Sequence, residues 1–350
     1  MHRPAGAGIE PDLLTTDNLA GYLESRGLAD QGVDWCRSLG GGVSNVVLAA
    51  GVGSRAVVVK QSLARLRVQD EWLAKRERVL TEARALQLQA KLTPGRVPTV
   101  LDVDPQRFAL TITHAPDGWS DWKGCLLRGE ADPAVAAEVG RTLGVWHRST
   151  EDDPQVARDF ADWEAFEQLR VDPYYRTLAR RCPELAPPVL ARIGRMEASR
   201  RCLVHGDFSP KNVLVRRSPP AFRPDLQPGP DGLWVVDAEV AHFGDPAFDA
   251  GFMLNHLLLK AIHRPSARPA YRGCARSFWR AYEEHGNSAG GADTLGHLAC
   301  LMLSRVHGKS PAEYLDERGR ALADRLGRRL LFAPPESVGQ AWDALEEVAG

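Results

Sequence analysis

Short apolar, β-branched runs in the first third of the chain predict a small β-sheet. Two β-branched runs, Ser44–Ala49 and Arg55–Gln61, flank a glycine-rich turn, which is the pattern of a β-hairpin. Arg76–Lys91 follows with apolar residues at helical spacing and ends before a Pro-Gly pair. Two further strands are predicted at Val97–Val103 and Phe108–Thr113. We therefore expect a sheet with one main helix lying on it.

Helical periodicity dominates the remainder of the chain. A turn-rich stretch, Ala115–Trp122, is interpreted as a hinge. Two short strands, Val213–Val215 and Leu233–Val236, lie on either side of a proline-rich polar segment at 218–232, which predicts a surface loop. One helix, Thr15–Gly27, precedes the sheet. The other predicted helices cover residues 134–147, 160–170, 186–199, 247–262, 271–285 and 292–306.

These elements indicate an α+β fold in two lobes. One is a small antiparallel β-sheet lobe with one main helix, and the other is larger and mostly helical. We expect a helical extension over residues 1–33, the small lobe over 34–114, the large lobe over 115–333 and a C-terminal tail over 334–350.

Composition narrows the functional classes. The 44 basic and 45 acidic residues give a net charge of −1, which argues against nucleic-acid binding. No apolar run reaches membrane-spanning length, and the first ten residues lack the pattern of a signal peptide. The six cysteines form no C-x-x-C pair, which argues against a metal or redox motif and favours a reducing compartment. We expect a cytoplasmic protein that binds neither nucleic acid nor a membrane.

The strongest chemical signal is the segment Leu203-Val-His-Gly-Asp-Phe-Ser-Pro-Lys-Asn212. A tight loop can turn Asp207 and Asn212 towards one point. Phosphoryl transfer uses such a pair, because a carboxylate orients and deprotonates the attacking hydroxyl while an amide oxygen binds a metal ion. The alternative is a structural turn with His205 as a satisfied core imidazole and Asn212 as a cap.

A second acidic segment, Leu233-Trp-Val-Val-Asp-Ala-Glu239, follows about 30 residues later. An apolar strand that ends at Asp237 suits a further metal ligand, and Glu239 can add a ligand or a contact to one. The alternative is a pair of solvated acids at a strand end. Asp249 precedes an apolar helix, and we favour a structural role for it as the helix cap over a catalytic role.

The small lobe carries candidate nucleotide-binding residues. Three glycines allow backbone amides to approach phosphate oxygens closely, and Lys60 ends an apolar strand within reach of such a group. A hairpin turn and a snorkelling lysine are the alternatives. The candidate phosphate-binding loop comprises Gly40, Gly41, Gly42 and Ser44.

Glu82 is predicted to pair with Lys60. At about 100° per residue, Glu82 lies roughly 60° from Val79 and 40° from Leu86, within the apolar stripe of its helix. A buried carboxylate requires a partner, and Lys60 is the natural one. The alternative is a partly exposed Glu82 paired with Arg78.

In this order the motifs resemble those of the aminoglycoside phosphotransferase, choline kinase and methylthioribose kinase superfamily, which has a protein-kinase-like two-lobed fold. The resemblance covers roughly residues 36–310. It implies that Asp207 is the catalytic base, that Asn212 and Asp237 bind magnesium, and that Lys60 and Glu82 are the phosphate lysine and its partner.

Two stretches look most similar to methylthioribose kinase: Val59-Lys-Gln-Ser-Leu-Ala-Arg65 and Asp237-Ala-Glu-Val-Ala-His-Phe-Gly244. The second makes Glu239 a candidate extra metal ligand. Phe208–Lys211 looks more like the general phosphotransferase loop, and Arg305 is a candidate substrate-binding arginine.

The resemblance implies an ATP- and Mg²⁺-dependent phosphotransferase that acts on a hydroxyl of a sugar, thiosugar, aminoglycoside-like antibiotic or amino alcohol. A protein kinase is disfavoured because H-G-D replaces H-R-D and no A-P-E segment follows Asp237. The intact set of Lys60, Asp207, Asn212 and Asp237 argues against a catalytically silent nucleotide-binding module. The acceptor pocket is expected within residues 115–200 and 255–310, and a homodimer is compatible with the sequence.

Overall fold

The computed structural model describes residues 13–30, 32–40, 44–67, 72–216, 232–286 and 289–350. The chain divides into two compact units. The smaller unit comprises Met1–Ala83 and Thr99–His114, and the larger unit comprises Arg84–Pro98 and Ala115–Gly350. The division falls within helix α2 (Arg78–Leu92).

The smaller unit is built on a five-stranded antiparallel sheet in the order β1-β2-β3-β5-β4. The predicted hairpin is confirmed by the pairing of β2 with β3. The outermost strand β1 was not predicted, because its side chains are mostly exposed and show no apolar alternation. The strands are β1 (Trp35–Ser38), β2 (Asn45–Val52), β3 (Arg55–Ser62), β4 (Val100–Asp104) and β5 (Ala109–Thr113).

Helix α1 (Leu19–Ser25) packs against one face of this sheet. Leu19 and Leu23 share a core with Leu48 of β2 and with Val57 and Val59 of β3, all nearly fully buried. Because side chains alternate along a strand, Lys60 points to the opposite face from Val57 and Val59.

The larger unit is mostly helical, and α4 and α10 pack closely along each other. A Cβ on Gly140 would lie 2.1 Å from the backbone oxygen of Phe278, so glycine permits this approach. The helices are α3 (Trp122–Arg128), α4 (Pro133–Thr150), α5 (Pro154–Asp159), α6 (Glu164–Phe166), α7 (Thr177–Arg181), α8 (Ala186–Ala198), α9 (Pro246–His263), α10 (Arg268–His285), α11 (Gly291–His307), α12 (Glu317–Phe332) and α13 (Val338–Ala349).

Two small antiparallel sheets lie in the larger unit. One has the order β6-β8-β9, and the other pairs β7 with β10. The stretch interpreted as a hinge therefore contains a strand, β6. The strands are β6 (Trp119–Asp121), β7 (Cys202–Val204), β8 (Val213–Arg216), β9 (Leu233–Val235) and β10 (His242–Gly244).

The prediction of one regular helix over 160–170 is wrong, because most of the helical winding in this region is of the π type. Helix α6 continues directly into a π-helical segment, Glu167–Arg176, and then into α7. Pro173 lies inside the π-helical segment. Proline has no N–H to donate and its ring clashes with the preceding turn of a regular α-helix, which accounts for the wider winding.

The C-terminal region is more ordered than the sequence indicated. Helix α12 was not predicted, and the segment interpreted as a tail forms α13, in which Trp342 and Leu345 are buried. The α+β fold class is confirmed. Most of the proline-rich segment at 218–232 lies outside the described residues. In the described part of the chain, no helix is both long and apolar enough to cross a bilayer.

Candidate active site

The loop that carries Asp207 connects β7 to β8 in the larger unit. Strand β7 is fully buried, and the loop ends in a 3₁₀ turn, Pro210–Asn212. Gly206 has a φ of +75°, and a Cβ there would lie 2.8 Å from the backbone oxygen of Val240. Both the left-handed backbone and the close approach require glycine at this position.

Asp207 and Asn212 are brought together as predicted. The Asn212 side-chain nitrogen donates to the Asp207 backbone oxygen at 2.9 Å and to its Oδ2 at 2.8 Å. Asn212 therefore contacts both the backbone and the carboxylate of Asp207. His205 is a satisfied buried imidazole: its Nε2 donates to the Val236 oxygen at 3.2 Å, and its Nδ1 accepts from the Asp207 amide at 3.2 Å. Burial lowers the pKa of His205, which favours the neutral ring.

Two cations hold the Asp207 carboxylate. Arg170 Nη2 and Lys211 Nζ each lie 2.8 Å from Asp207 Oδ2. Burial alone would raise the pKa of Asp207, but the charges of Arg170 and Lys211 outweigh it and the pKa is lowered. The carboxylate is therefore ionised at neutral pH.

Sequence reasoning did not identify Arg170. It lies in the π-helical segment, is nearly fully buried, and also donates through Nε to the Gly206 oxygen at 2.9 Å. The contact joins residues 36 positions apart, which no motif spans. The one available signal was an arginine between two apolar residues, Leu169 and Val171, at the end of a predicted helix.

Asp249 supports the same loop. Its two carboxylate oxygens accept from the backbone amides of His205 at 2.7 Å and Gly206 at 2.9 Å. The predicted structural role fits this geometry, but the predicted capping of α9 is wrong. Asp245 is the N-cap residue and accepts from the Ala247 amide at 3.1 Å. Side chains in the first turn tilt towards the helix N-terminus, which directs Asp249 back to the loop.

Asp237 and Glu239 follow β9. The Val236 amide donates to the Asn212 backbone oxygen at 2.9 Å, so the neighbouring Asp237 lies close to the loop that carries Asp207. Asp237 has a φ of +71°, a strained conformation for a residue other than glycine and one that is enriched at functional sites. The negative charge of Asp237 disfavours the ionised form of Asp207, and the charge of buried Glu239 favours the charged form of Arg170. The structure thus groups Asp207, Asn212, Asp237 and Glu239 in one region of the larger unit.

The predicted ion pair of the smaller unit is confirmed. Lys60 Nζ lies 2.7 Å from Glu82 Oε1, and the two residues are 6% and 0% exposed. Arg78 binds backbone oxygens, donating to Lys75 at 2.6 Å and to Leu63 at 3.0 Å.

The candidate phosphate-binding loop is described only in part. Gly40 and Ser44 are described, and the Ser44 carbonyl oxygen also accepts from Arg78. Gly41 and Gly42 lie outside the described residues.

The oxygen donors in the larger unit fit magnesium better than a softer metal. The Asn212 side-chain nitrogen donates to Asp207, which leaves its side-chain oxygen as a possible ligand together with the carboxylates of Asp237 and Glu239. Mg²⁺ commonly uses one or two protein oxygens and takes the rest from phosphates and water. Within the described ranges, no group of three or more His, Cys, Asp or Glu residues is arranged to hold a metal ion.

Arg305, the candidate substrate arginine, lies on α11. Its Nη1 donates to Ser310 Oγ at 2.7 Å and to the Tyr174 hydroxyl at 3.4 Å. Tyr174 is one helical turn beyond Arg170 in the π-helical segment. Arg305 is therefore linked through Tyr174 to the segment that holds Asp207.

The antiparallel sheet, the helical unit and the Asp–Asn loop followed by a strand-end aspartate define the class of protein-kinase-like phosphotransferases. The chain matches the phosphotransferase enzyme family over residues 35–286 and belongs to that family. The superfamily resemblance drawn from the motifs is thereby confirmed.

Curated relatives include methylthioribose kinases from Bacillus cereus strain AH187 and Bacillus thuringiensis strain Al Hakam. Each is 26% identical over 262 residues, an alignment that covers 65% of this chain and 61% of the relative. The chain thus spans about three fifths of the length of these relatives.

Solved structures show the same fold. A choline/ethanolamine kinase family protein from Mesorhizobium loti has a TM-score of 0.52 at 18% identity, covering 95% of this chain and all of that one. The amicoumacin kinase hAmiN, solved with AMP-PNP, Ca²⁺ and Ami, has a TM-score of 0.53 at 14% identity. That match covers 91% of this chain and 96% of the kinase. At these identities the similarity establishes the fold alone.

Proposed function

We propose that this chain is an ATP-dependent kinase that transfers the γ-phosphate to a hydroxyl group of a small molecule. The observation that carries the proposal is the buried Asp207 carboxylate, ionised and joined to Asn212 at 2.8 Å, next to the strand-end acid Asp237. Membership of the phosphotransferase enzyme family and 26% identity to methylthioribose kinases support the reaction class.

Asp207 is assigned the role of base. Its carboxylate accepts the proton of the acceptor hydroxyl as the hydroxyl oxygen forms a bond to the γ-phosphorus. The bond from that phosphorus to the β–γ bridging oxygen breaks, and ADP leaves with the electron pair. Because the pKa of Asp207 is lowered, the carboxylate is ready to accept a proton at neutral pH.

Arg170 is assigned a positioning role. Its guanidinium spans the Asp207 carboxylate at 2.8 Å and the Gly206 oxygen at 2.9 Å, and therefore fixes the carboxylate against the loop backbone. Lys211, whose side chain is half exposed, can move from Asp207 to a phosphate oxygen or an acceptor group, because Arg170 still holds the buried carboxylate.

Asn212, Asp237 and Glu239 are assigned to magnesium. When bound, the ion would neutralise negative charge on the nucleotide phosphates. In the smaller unit, Lys60 is assigned to the phosphates and Glu82 to the orientation of its ammonium, with Gly40, Gly41, Gly42 and Ser44 as the phosphate-binding loop.

The test is Mg²⁺-dependent ADP release with a panel of thiosugars, sugars, hydroxy acids, amino alcohols and aminoglycosides. Asp207→Asn keeps the shape of the side chain but removes the proton acceptor, so we expect turnover to fall about 10²–10⁴-fold while ATP affinity is retained. EDTA is expected to abolish turnover.

Asp343→Asn, on the exposed face of α13, is the matched control and should keep wild-type turnover. Wild-type turnover in Asp207→Asn would remove the assignment of the base. Full activity in EDTA would remove the metal assignment.

A further inference from the structure

Lys260, in the middle of the large unit, is an unusual buried lysine. It lies on α9 and is 0% exposed. Its ammonium donates to the His256 backbone oxygen at 3.3 Å and lies 5.4 Å from the centre of the Tyr314 ring. Among the residues that the structure describes, no carboxylate lies within ion-pair distance of it. A buried cation without a counter-ion is costly, which calls for an explanation.

Arg305, which is partly buried, also has no carboxylate partner among the described residues. Its polar contacts are to two neutral hydroxyls, those of Ser310 and Tyr174. Its Nε is buried and has no hydrogen-bond partner within the described ranges. Guanidinium donors are suited to bind the oxygens of a carboxylate or phosphate, and here one donor is left for such a group.

These two cations belong to a larger group close to Asp207, which we name the cationic cluster: Lys123, Lys211, Lys260 and Arg305. Lys211 contacts Asp207 at 2.8 Å, and α3, which carries Lys123, packs against the turn that contains Lys211. Tyr174 lies between Arg305 and the surroundings of Asp207. Its phenol is within electrostatic range of four charged groups: Arg305, Arg170, Asp207 and Lys211.

The titration of neighbouring groups reflects this concentration of positive charge. Burial and then the charges of Lys123 and Arg305 lower the pKa of Lys260 to about 7, against the opposing effect of Asp121. Burial lowers the pKa of His256 far below its usual value, and the cluster lowers it further through Lys260, Arg305, Lys211 and Lys123.

In the described part of the chain, two cations of the cluster have no acid in contact with them, whereas Lys211 contacts Asp207 and also lies within electrostatic range of Asp237. Asp207 is shared between Arg170 and Lys211, and Asp121 caps α3 by accepting from the Gly124 amide at 2.8 Å. Lys260 and Arg305 are left without a carboxylate partner among the described residues. An anionic ligand would supply the missing partner and offset the cost of burying them.

We propose that the acceptor is an anion, whose carboxylate or phosphate group binds between Lys260, Arg305 and Lys211 and so presents a hydroxyl to Asp207. This inference rests on the proposed kinase function and specifies its substrate class. It disfavours polycationic aminoglycosides and quaternary amino alcohols, because like charges at short range are repelled. Lys260 and Arg305 lie within the residues 255–310 expected to form the acceptor pocket.

The first experiment compares acceptors that share a carbon skeleton. Glycerol is compared with glycerate and glycerol 3-phosphate, and ribose with ribose 5-phosphate; choline and an aminoglycoside represent cations. We expect the anionic member of a pair to give the higher kcat/KM by roughly tenfold or more, as one charge-assisted hydrogen bond would provide. A preference for a neutral or cationic acceptor would overturn the inference.

The second experiment needs no turnover. Binding of inorganic phosphate is measured by titration calorimetry with Mg²⁺ and saturating ADP, so that the nucleotide site is filled. We expect Lys260→Met and Arg305→Gln each to weaken phosphate binding roughly ten- to a hundredfold, and Arg305→Lys to retain more affinity than Arg305→Gln. Lys91→Met, an exposed lysine at the end of α2, is the matched control and should bind as the wild type.

The outcomes separate the two proposals. Phosphate binding that is absent in the wild type, or equal in wild type and both variants, overturns the anionic acceptor. Variants that weaken ATP binding and leave phosphate binding unchanged would assign the cluster to the nucleotide and also overturn it. If phosphate binding depends on Lys260 and Arg305 but Asp207→Asn does not alter transfer to any acceptor, the anion site stands and the assigned kinase mechanism fails.

Discussion

At the scale of single residues, buried charges organise both candidate sites. In the smaller unit the Lys60–Glu82 pair, at 2.7 Å, is almost fully withdrawn from water. In the larger unit Asp207 is 2% exposed and is held by two cations. Removal of one partner from such a pair is more costly than removal of both, because the charge that remains loses its compensation.

The Lys60–Glu82 pair gives a prediction for stability. Lys60→Met keeps the aliphatic length but removes the ammonium, so we expect the free energy of unfolding to fall by about 3–5 kcal/mol in urea denaturation. The double variant Lys60→Met/Glu82→Gln removes both charges and should recover part of that loss. A double variant that is no more stable than Lys60→Met would contradict the stabilising pair. ATP binding should be weakened in both.

At the scale of elements, the loop that carries Asp207 is held by side chains from a helix and from the π-helical segment. Asp249 on α9 accepts hydrogen bonds from two loop amides, at 2.7 and 2.9 Å. Arg170 in the π-helical segment donates to the Gly206 oxygen at 2.9 Å. A helix and a π-helical segment therefore set the conformation of a loop that is distant from both in sequence.

Gly206→Ala tests that loop conformation. A side chain at φ +75°, with its Cβ 2.8 Å from the Val240 oxygen, is both strained and crowded. We expect a loss of about 1–3 kcal/mol in the free energy of unfolding and reduced turnover. Gly194→Ala on α8 is the control: no atom lies within 4 Å of its added Cβ, and helix propensity predicts a gain of about 0.5–1 kcal/mol. Equal effects of the two substitutions would refute the steric argument.

At the scale of the whole molecule, a net charge of −1 does not describe how charge is distributed locally. Basic and acidic residues nearly cancel over the chain, yet the cationic cluster concentrates positive charge beside Asp207. The overall balance was therefore no guide to the charge of the acceptor. What matters for recognition is the field at the site, where buried charges are poorly screened.

The burial of Lys260 beside other cations predicts that the stability of the fold depends on pH. Lys260 titrates at about 7 in the folded protein and near its usual value of 10.5 when unfolded, so between these values the unfolded chain binds more protons. Stability should therefore rise as the pH increases across that window. Tyr314 stays neutral there, because burial raises its pKa to about 12. The charged and titratable groups that face Lys260 are Lys123 and Asp121 near α3, Arg305 on α11, His256 on its own helix, and Tyr314.

The measurement compares urea denaturation of the wild type and Lys260→Met at about pH 7 and about pH 9.5. Relative to Lys260→Met, the wild type should have a larger free energy of unfolding at the higher pH than at the lower pH. Lys91→Met should follow the wild type at both values. A difference between wild type and Lys260→Met that does not change with pH would show that Lys260 titrates normally.

Local pattern was sufficient for the features whose partners are near in sequence or share a periodic element. The β2–β3 hairpin followed from two β-branched runs and a turn, and the contact of Asp207 with Asn212 from a spacing of five residues. Glu82 was placed in the buried stripe by helical geometry alone, and Lys60 then followed as its partner. In each case a single element or a short loop determines where the side chain points.

Tertiary structure alone decided the rest. Arg170 reaches Gly206 across 36 residues, Asp249 reaches His205 across 44, and Arg305 reaches Tyr174 across 131. Such contacts leave no periodic or local signature, because they depend on which helices pack together. The sequence alone therefore determined the reaction class that the motifs imply and most of the residues proposed for it. The charge of the acceptor is inferred from buried Lys260 and partly buried Arg305, which have no carboxylate partner among the described residues. That arrangement arises only when α9, α11 and the π-helical segment pack together.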